Sequence, residues 1–305
     1  MTPPRPTRTY RSRPSRIKLA LRRLIAGALL LLFIGLALAL GVGALGGEGE
    51  ADEIVVPTTT AVPPLPSLKI VFPEGFTRDQ MIVRVGAVRN IAQRKRKIKP
   101  KLSGPSYAAA TTAAKVPAQF RPDAKRIEGF LFPATYEFTA KTTAKKFVAE
   151  QLGFFGQNWA KVDLREARTK NLTPYDVLII ASMIEKETIA PEERAKVSAV
   201  IYNRLKAGMP LGIDATIRYG LDVPGTEALR VSQLESDNPY NTRNRTGLPP
   251  TPIANPGLAS MKAAARPAKV DFLFFVRKPD KIHHFFTASE SEFFAKACEY
   301  GFGCG

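Results

Sequence analysis

The chain has 305 residues, with 45 Lys and Arg against 27 Asp and Glu, for a formal charge of +18. That length suits one or two domains with a sizeable core. No Ser-His-Asp order, phosphate loop or nucleotide fingerprint is visible, which removes the commonest nucleophile and nucleotide chemistries.

Residues 1–23 carry seven arginines, one lysine and no acid, a composition that cannot bury a core and reads as a basic tail. Leu24–Leu45, "LIAGALLLLFIGLALALGVGAL", holds 22 uncharged residues. As a helix it would span roughly 33 Å, which is bilayer length. A cleaved signal peptide is the competing reading, but its apolar region would be about 7–15 residues long. With positive charge before the span and "GGEGEADE" after it, the positive-inside rule places the tail in the cytoplasm and the remainder outside. Eight positives lie in the tail, so 18 − 8 leaves +10 for the rest, suited either to an anionic envelope partner or simply to solubility. External placement and the lack of a recognition motif argue against nucleic acid.

The stretch 47–66 is acidic, then Thr/Pro-rich, and reads as a linker. "SLKIVFPEGFTRDQMIVRVGAV" predicts a strand, a turn at Pro73-Glu74-Gly75 and a helix opened by Thr77. Between Arg94 and Gln119 the chain is Lys-rich, then Ala/Thr-rich, with weak periodicity, and is expected to be a solvated loop. The aromatic "RIEGFLFPATYEF" reads as core, with no role assigned by periodicity. An amphipathic helix is predicted over Lys145–Trp159, from Phe147, Val148, Leu152 and Phe155.

Thr173 as N-cap, Pro174 at the first helical position and Asp176 in the first turn predict a helix running to about Thr188. On an ideal wheel its apolar moment points about 40° from Glu187 and about 120° from Glu185, so Glu187 leans toward the core. Being two apart, the pair diverges and cannot flank one scissile bond. A carboxylate so placed is either a capped or ion-paired structural group, or an acid whose pKa burial raises. The residues alone leave that open.

"PEERAKVSAVIYNRLKAG" predicts a packing helix, with Glu192 and Glu193 serving its first turn. "NPYNTRNRTGLPPTPIANPG" holds five prolines, two glycines and four asparagines in 20 residues, and reads as a docked loop equipped for a polar ligand such as sugar. A helix near Leu258–Ala265, strands "DFLFFVR" and "HHFFTA", and a helix from Ser289 complete the chain. His283 and His284 are the only histidines. As neighbours on a strand they face opposite ways, so no shared metal site is expected and at most one faces a groove. The two cysteines, Cys298 and Cys304, could close a small ring outside the membrane.

"EGFLFPATYEF", "ASMIEKET", "ERAKVSAVIYNRL", "GMPLGIDATIRYG", "YNTRNRTGLPPTPIANPG" and "SMKAAARPAK", in this order, resemble the YceG-like endolytic murein transglycosylases (the MltG family) over roughly Lys69–Thr287. The resemblance implies an α+β protein: a cytoplasmic basic tail (1–23), a single transmembrane helix (24–46), a linker (47–66), a small LysM-like α/β subdomain (67–125), a mixed α+β catalytic domain (126–297) and a tail (298–305). It implies lytic cleavage of the β-1,4 bond between N-acetylmuramic acid and N-acetylglucosamine in peptidoglycan strands, leaving 1,6-anhydro ends, with no metal or organic cofactor. Glu187, in the Glu-Lys-Glu-Thr motif, would be the catalytic acid, with Glu185 the alternative. Asp214, Thr216, Tyr240, Asn241 and Thr242 would bind sugar. The implied setting is the bacterial cytoplasmic membrane, beside glycan polymerases. Two departures stand out. Asp214-Ala215-Thr216 replaces the family's Asp-Pro-Thr and is expected to loosen a groove turn, and Ala134 replaces an Asp. The first is the one sequence feature that favours a different reading, a catalytically silent wall-binding scaffold.

Overall fold

The computed structural model describes residues 66–120 and 127–302. These fall within one compact unit, Pro63–Gly305. Among the described residues no helix is long and apolar enough to cross a membrane, and the segment 24–46 expected to do so lies outside them, as does Cys304.

Strand β1 (Leu68–Val71) buries alternate residues and leads through a turn into helix α1 (Arg78–Arg96). Thr77 caps that helix in a capping box with Gln80. Here the expected loop is overturned. The Lys-rich stretch begins as the last turn of α1, where Arg94, Lys95 and Arg96 suit the negative end of the helix dipole. The Ala/Thr-rich stretch then forms helix α2 (Gly104–Ala113), started by a Ser103–Ser106 capping box. Burial of Met81, Val85 and Ala92 from α1 and of Tyr107 and Thr111 from α2 holds the two helices together.

Strand β2 (Thr135–Phe138) pairs antiparallel with β1, Leu68 opposite Phe138. The first small sheet is therefore closed by residues beyond the boundary expected at 125. Helix α3 (Ala144–Trp159) packs on α2, and Phe147 touches Phe72, Tyr107, Tyr136 and Phe138 in an aromatic cluster. The short helix α4 (Arg165–Arg168) follows.

The centre of the molecule is helix α5 (Pro174–Glu187), capped by Thr173 with Pro174 in its first turn. Every residue from Val177 to Ile184 is buried, so the helix is enclosed on all sides rather than along one face. A 3₁₀ turn (Pro191–Glu193) leads into α6 (Arg194–Lys206), and both α6 and α9 (Leu258–Ala265) pack on α5. Between them come α7 (Asp214–Gly220) and the short α8 (Val231–Leu234). An antiparallel hairpin of β3 (Phe274–Arg277) and β4 (His284–Thr287) places Arg277 opposite His284, and α10 (Glu290–Glu299) packs against it.

Candidate active site

A groove of about 1930 Å³ runs across the molecule. That exceeds the roughly 300–1,000 Å³ of a small-molecule pocket and suits a stretch of polymer. One wall is the first turns of α1, with Gln80, Val83 and Arg84. The facing wall is α7 and the long loop, with Tyr219 and Tyr240, and the end of α5 and the β3–β4 hairpin contribute Glu187, Arg277 and His284.

Glu187 is the last residue of α5. Thr188 closes the helix, its N–H and Oγ1 both donating to the Ile184 carbonyl at 3.0 and 2.7 Å. The Arg277 guanidinium donates to the Glu187 carbonyl oxygen at 3.2 Å. The helix end is thus fixed from both sides, and the carboxyl projects into the groove. Burial pushes this carboxyl up to about 7, opposed by the charge of Arg277 and helped by that of Asp214. A group at the floor of a deep groove can be reachable by a ligand and still be poorly solvated, which is what raises it.

Glu185 has a different environment. Its side chain is 6% exposed, accepts from the Gly257 N–H at 2.9 Å at the start of α9, and lies 3.9 Å from the largely buried Arg194 guanidinium. The wheel placed it away from the apolar side; because α5 is surrounded, that side is not solvent but the interface with α6 and α9. Glu185→Gln is expected to leave turnover within about threefold while costing about 1–3 kcal/mol of stability, since it strands a buried cation. Thermal unfolding beside an activity assay checks both halves.

The five residues expected to bind sugar separate into two groups. Asp214 and Tyr240 line the groove, Asp214 tied to Arg243 at 2.7 Å and Tyr240 packed edge-on against Tyr219 at 5.2 Å. Thr216, Asn241 and Thr242 are buried, and their polar atoms hold the chain to itself. Thr242 Oγ1 accepts from the Ile213 N–H and meets Thr216 Oγ1 at 3.0 Å, while Asn241 donates to the carbonyls of Leu234 and Ser236. These bonds, with Gly212 N–H donating to the Thr242 carbonyl at 2.8 Å, close the groove turn. Ala215 in place of proline therefore does not open it, because the second helical position needs no proline to begin α7.

Glu128 is a further buried carboxyl, to which no sequence motif assigns a role. It accepts from the Arg78 N–H at the start of α1, from Asn255 at 2.6 Å and from the Tyr219 hydroxyl at 3.2 Å. Burial raises it to about 7 despite these three donors. Asn255 in turn accepts from the N–H groups of Gly129 and Leu131, both at 2.9 Å, and donates to the Phe76 carbonyl. Gly129 sits at φ +91°, with Pro252 where a Cβ would fall, 2.7 Å away. This network joins the α1 wall to the Tyr219 wall and so sets the groove's width. The "EG" of "EGFLFP" and the "N" of "IANPG" were its signals, but nothing local shows that they meet.

The YceG-like family model matches residues 48–298. The chain is 38% identical over 152 residues to the endolytic murein transglycosylase of Bacillus subtilis (strain 168), covering 50% of this chain and 42% of that protein. It is 30% identical over 251 residues to the endolytic murein transglycosylase of Streptococcus pneumoniae serotype 2, covering 76% of this chain and 42% of that one. The matches thus span well under half the length of these curated relatives. A 2.6 Å crystal structure of a yceG-like protein from Listeria monocytogenes superposes with a TM-score of 0.63 at 30% identity, covering 75% of each chain.

Proposed function

From the chain's place in the YceG-like family, to which it belongs, we propose that it is an endolytic peptidoglycan lytic transglycosylase with Glu187 as its single general acid and base. The observation that carries the reading is a carboxyl at a fixed helix end, raised to about 7 on the floor of a polymer-sized groove.

In this reaction neutral Glu187 gives its proton to the glycosidic oxygen of a β-1,4 bond as the bond to C1 of N-acetylmuramic acid breaks. The 6-hydroxyl of the same sugar attacks C1, and its proton passes to the Glu187 carboxylate, restoring the acid and leaving a 1,6-anhydro end. No water is consumed. An ordinary glycosidase needs a second carboxyl about 5–9.5 Å from the first. The groove's Asp214 is engaged by Arg243, at 2.8 Å from Nε and 2.7 Å from Nη2, which supports a one-carboxyl mechanism.

A donor must be protonated to act, so activity is expected to hold below about 7 and to fall as pH rises through that value. A pH profile of kcat/KM on soluble glycan strands checks this. A profile flat from pH 5 to 9 would remove Glu187 as the acid.

We place the working unit outside the cytoplasmic membrane, anchored by residues 24–46 with its N-terminus inside, and acting on nascent strands beside glycan polymerases. The charge asymmetry across the apolar segment supports that orientation. Protease treatment of intact spheroplasts, digesting the unit but sparing the tail, is the expected result.

A further inference from the structure

Of the two histidines, His283 is partly exposed and bonds Asp280 at 2.8 Å, with Glu192 at 3.4 Å. His284 turns inward. Its side chain is 2% exposed, and its Nδ1 lies 2.7 Å from Oε2 of Glu193, whose own side chain is 6% exposed. The His284 N–H also donates to Oε1 of Glu193, at 2.9 Å. The carboxylate therefore grips both ring and backbone, and the short contact at Nδ1 makes that nitrogen the N–H of the ring. Glu193 was read from sequence as a helix-start charge; its side chain instead spans 91 residues of sequence to reach the hairpin.

With Nδ1 committed as donor, a neutral imidazole leaves Nε2 as an acceptor. Burial lowers the ring's basicity, against the pull of Glu193, which keeps it neutral. Phe275 and Phe286 stand against the ring at 5.3 and 6.0 Å and fix its plane. His284 lines the groove. It is the register partner of Arg277, so the two side chains leave the hairpin on one face, and Arg277 reaches the carbonyl of Glu187. Nε2 forms no hydrogen bond with the described residues, yet it is not among their sealed, unpartnered polar atoms. His284 and Glu187 line the same groove, and Arg277 links the hairpin that carries the ring to the helix end that carries the acid.

We propose that His284 contacts the substrate: its Nε2 accepts a hydrogen bond from a sugar donor, a hydroxyl or an acetamido N–H, of the glycan lying over Glu187. Glu193 is its positioning residue. The proposal rests on the glycan reading of the groove. A neutral acceptor gives nothing to a carboxylate, so this point of the groove selects the sugar's own donors rather than the lactyl or peptide acids. The cation beside it, Arg277, is the group suited to those.

The chain's two histidines make the test direct. The full-length Glu187→Gln protein, labelled with ¹⁵N-histidine and held in detergent, is titrated with purified uncrosslinked glycan strands, and His283→Gln assigns the resonances. The expected result is an Nδ1–H tautomer for His284 whose Nε2 resonance moves toward that of a hydrogen-bonded acceptor as strands bind. In otherwise wild-type protein, His284→Phe is expected to raise KM about 3- to 10-fold with kcat little changed, with partial recovery in His284→Gln. Co-sedimentation of the same protein with the strands while Nε2 stays still overturns the role of His284 alone. Failure to co-sediment overturns the glycan reading and this proposal together.

Discussion

Glu187→Gln is expected to lower the rate of strand cleavage by about 10²–10⁴-fold, the range that a positioned proton donor contributes. Glutamine keeps the shape and polarity of the side chain, and the Arg277 contact survives because it is made to the backbone carbonyl. What disappears is the proton. The same change has a second, opposite signature in stability. Burial pushes the carboxyl up to about 7 in the folded protein, from an ordinary glutamate value of 4.5. The native state therefore binds this proton more tightly than the unfolded chain, and the wild type loses stability as pH rises from about 4.5 through 7. The glutamine variant carries no such loss. Its melting temperature is expected to match or exceed the wild type's at pH 8, by the equivalent of about 1–3 kcal/mol once the water admitted by the groove is allowed for, and the gap is expected to close toward pH 5. Slower cleavage with equal or greater stability separates a catalytic acid from a structural glutamate, for which both would fall.

The largest expected loss of stability lies at Asn255. Its carboxamide serves two backbone N–H groups, one backbone carbonyl and the Glu128 carboxyl, all within 2.6–2.9 Å. Asn255→Ala leaves the Gly129 and Leu131 amides without acceptors and removes one of Glu128's three donors. At about 1–3 kcal/mol for each buried group left unpaired, the total is about 3–5 kcal/mol. Because the network joins the α1 wall to Tyr219, the folded fraction is also expected to show weaker strand binding. Asn255→Asp tests the geometry separately. It keeps an acceptor for the two amides but sets a second carboxylate against Glu128, so its stability is expected to improve more steeply as pH falls than that of the alanine variant, which carries the raised Glu128 alone. Denaturant titration at two pH values distinguishes them.

Local chemistry in the sequence foretold much of this fold, because helix starts are written in adjacent residues. Thr77, Thr173 and Ser289 cap their helices as their side chains predict, and the segments 258–265 and 145–159 fall where apolar spacing puts them. The stretch from Arg94 reads as a loop because the last turn of α1 runs past its last buried residue, Ala92, and because α2 buries only Gly104, Tyr107 and Thr111, too few for a visible apolar stripe. Glu187 was legible as a carboxyl at a helix end, although it opens onto the groove and Glu185, placed by the wheel away from the apolar side, is the one packed against its neighbours. The supports of the site were not legible. Glu128 with Asn255 and Glu193 with His284 are pairs separated by 127 and 91 residues, and neither periodicity nor propensity reports who meets whom at such distances. Thr216, Asn241 and Thr242 had the right chemistry for sugar, yet each spends it bracing the loop that carries Tyr240 and the start of α7 that carries Asp214. A polar residue in a loop motif is as readily a brace for the site as a contact within it.

The central claim is that Glu187 alone drives cleavage with internal ring closure. Mass spectrometry of purified peptidoglycan digested by the wild-type protein, by Glu187→Gln and by Glu185→Gln tests it most directly. Anhydro-muramyl ends are expected from the wild type and from Glu185→Gln, and none from Glu187→Gln. Reducing ends would contradict the one-carboxyl mechanism and point to Asp214 and water, and anhydro ends persisting in Glu187→Gln would mean that the acid lies elsewhere.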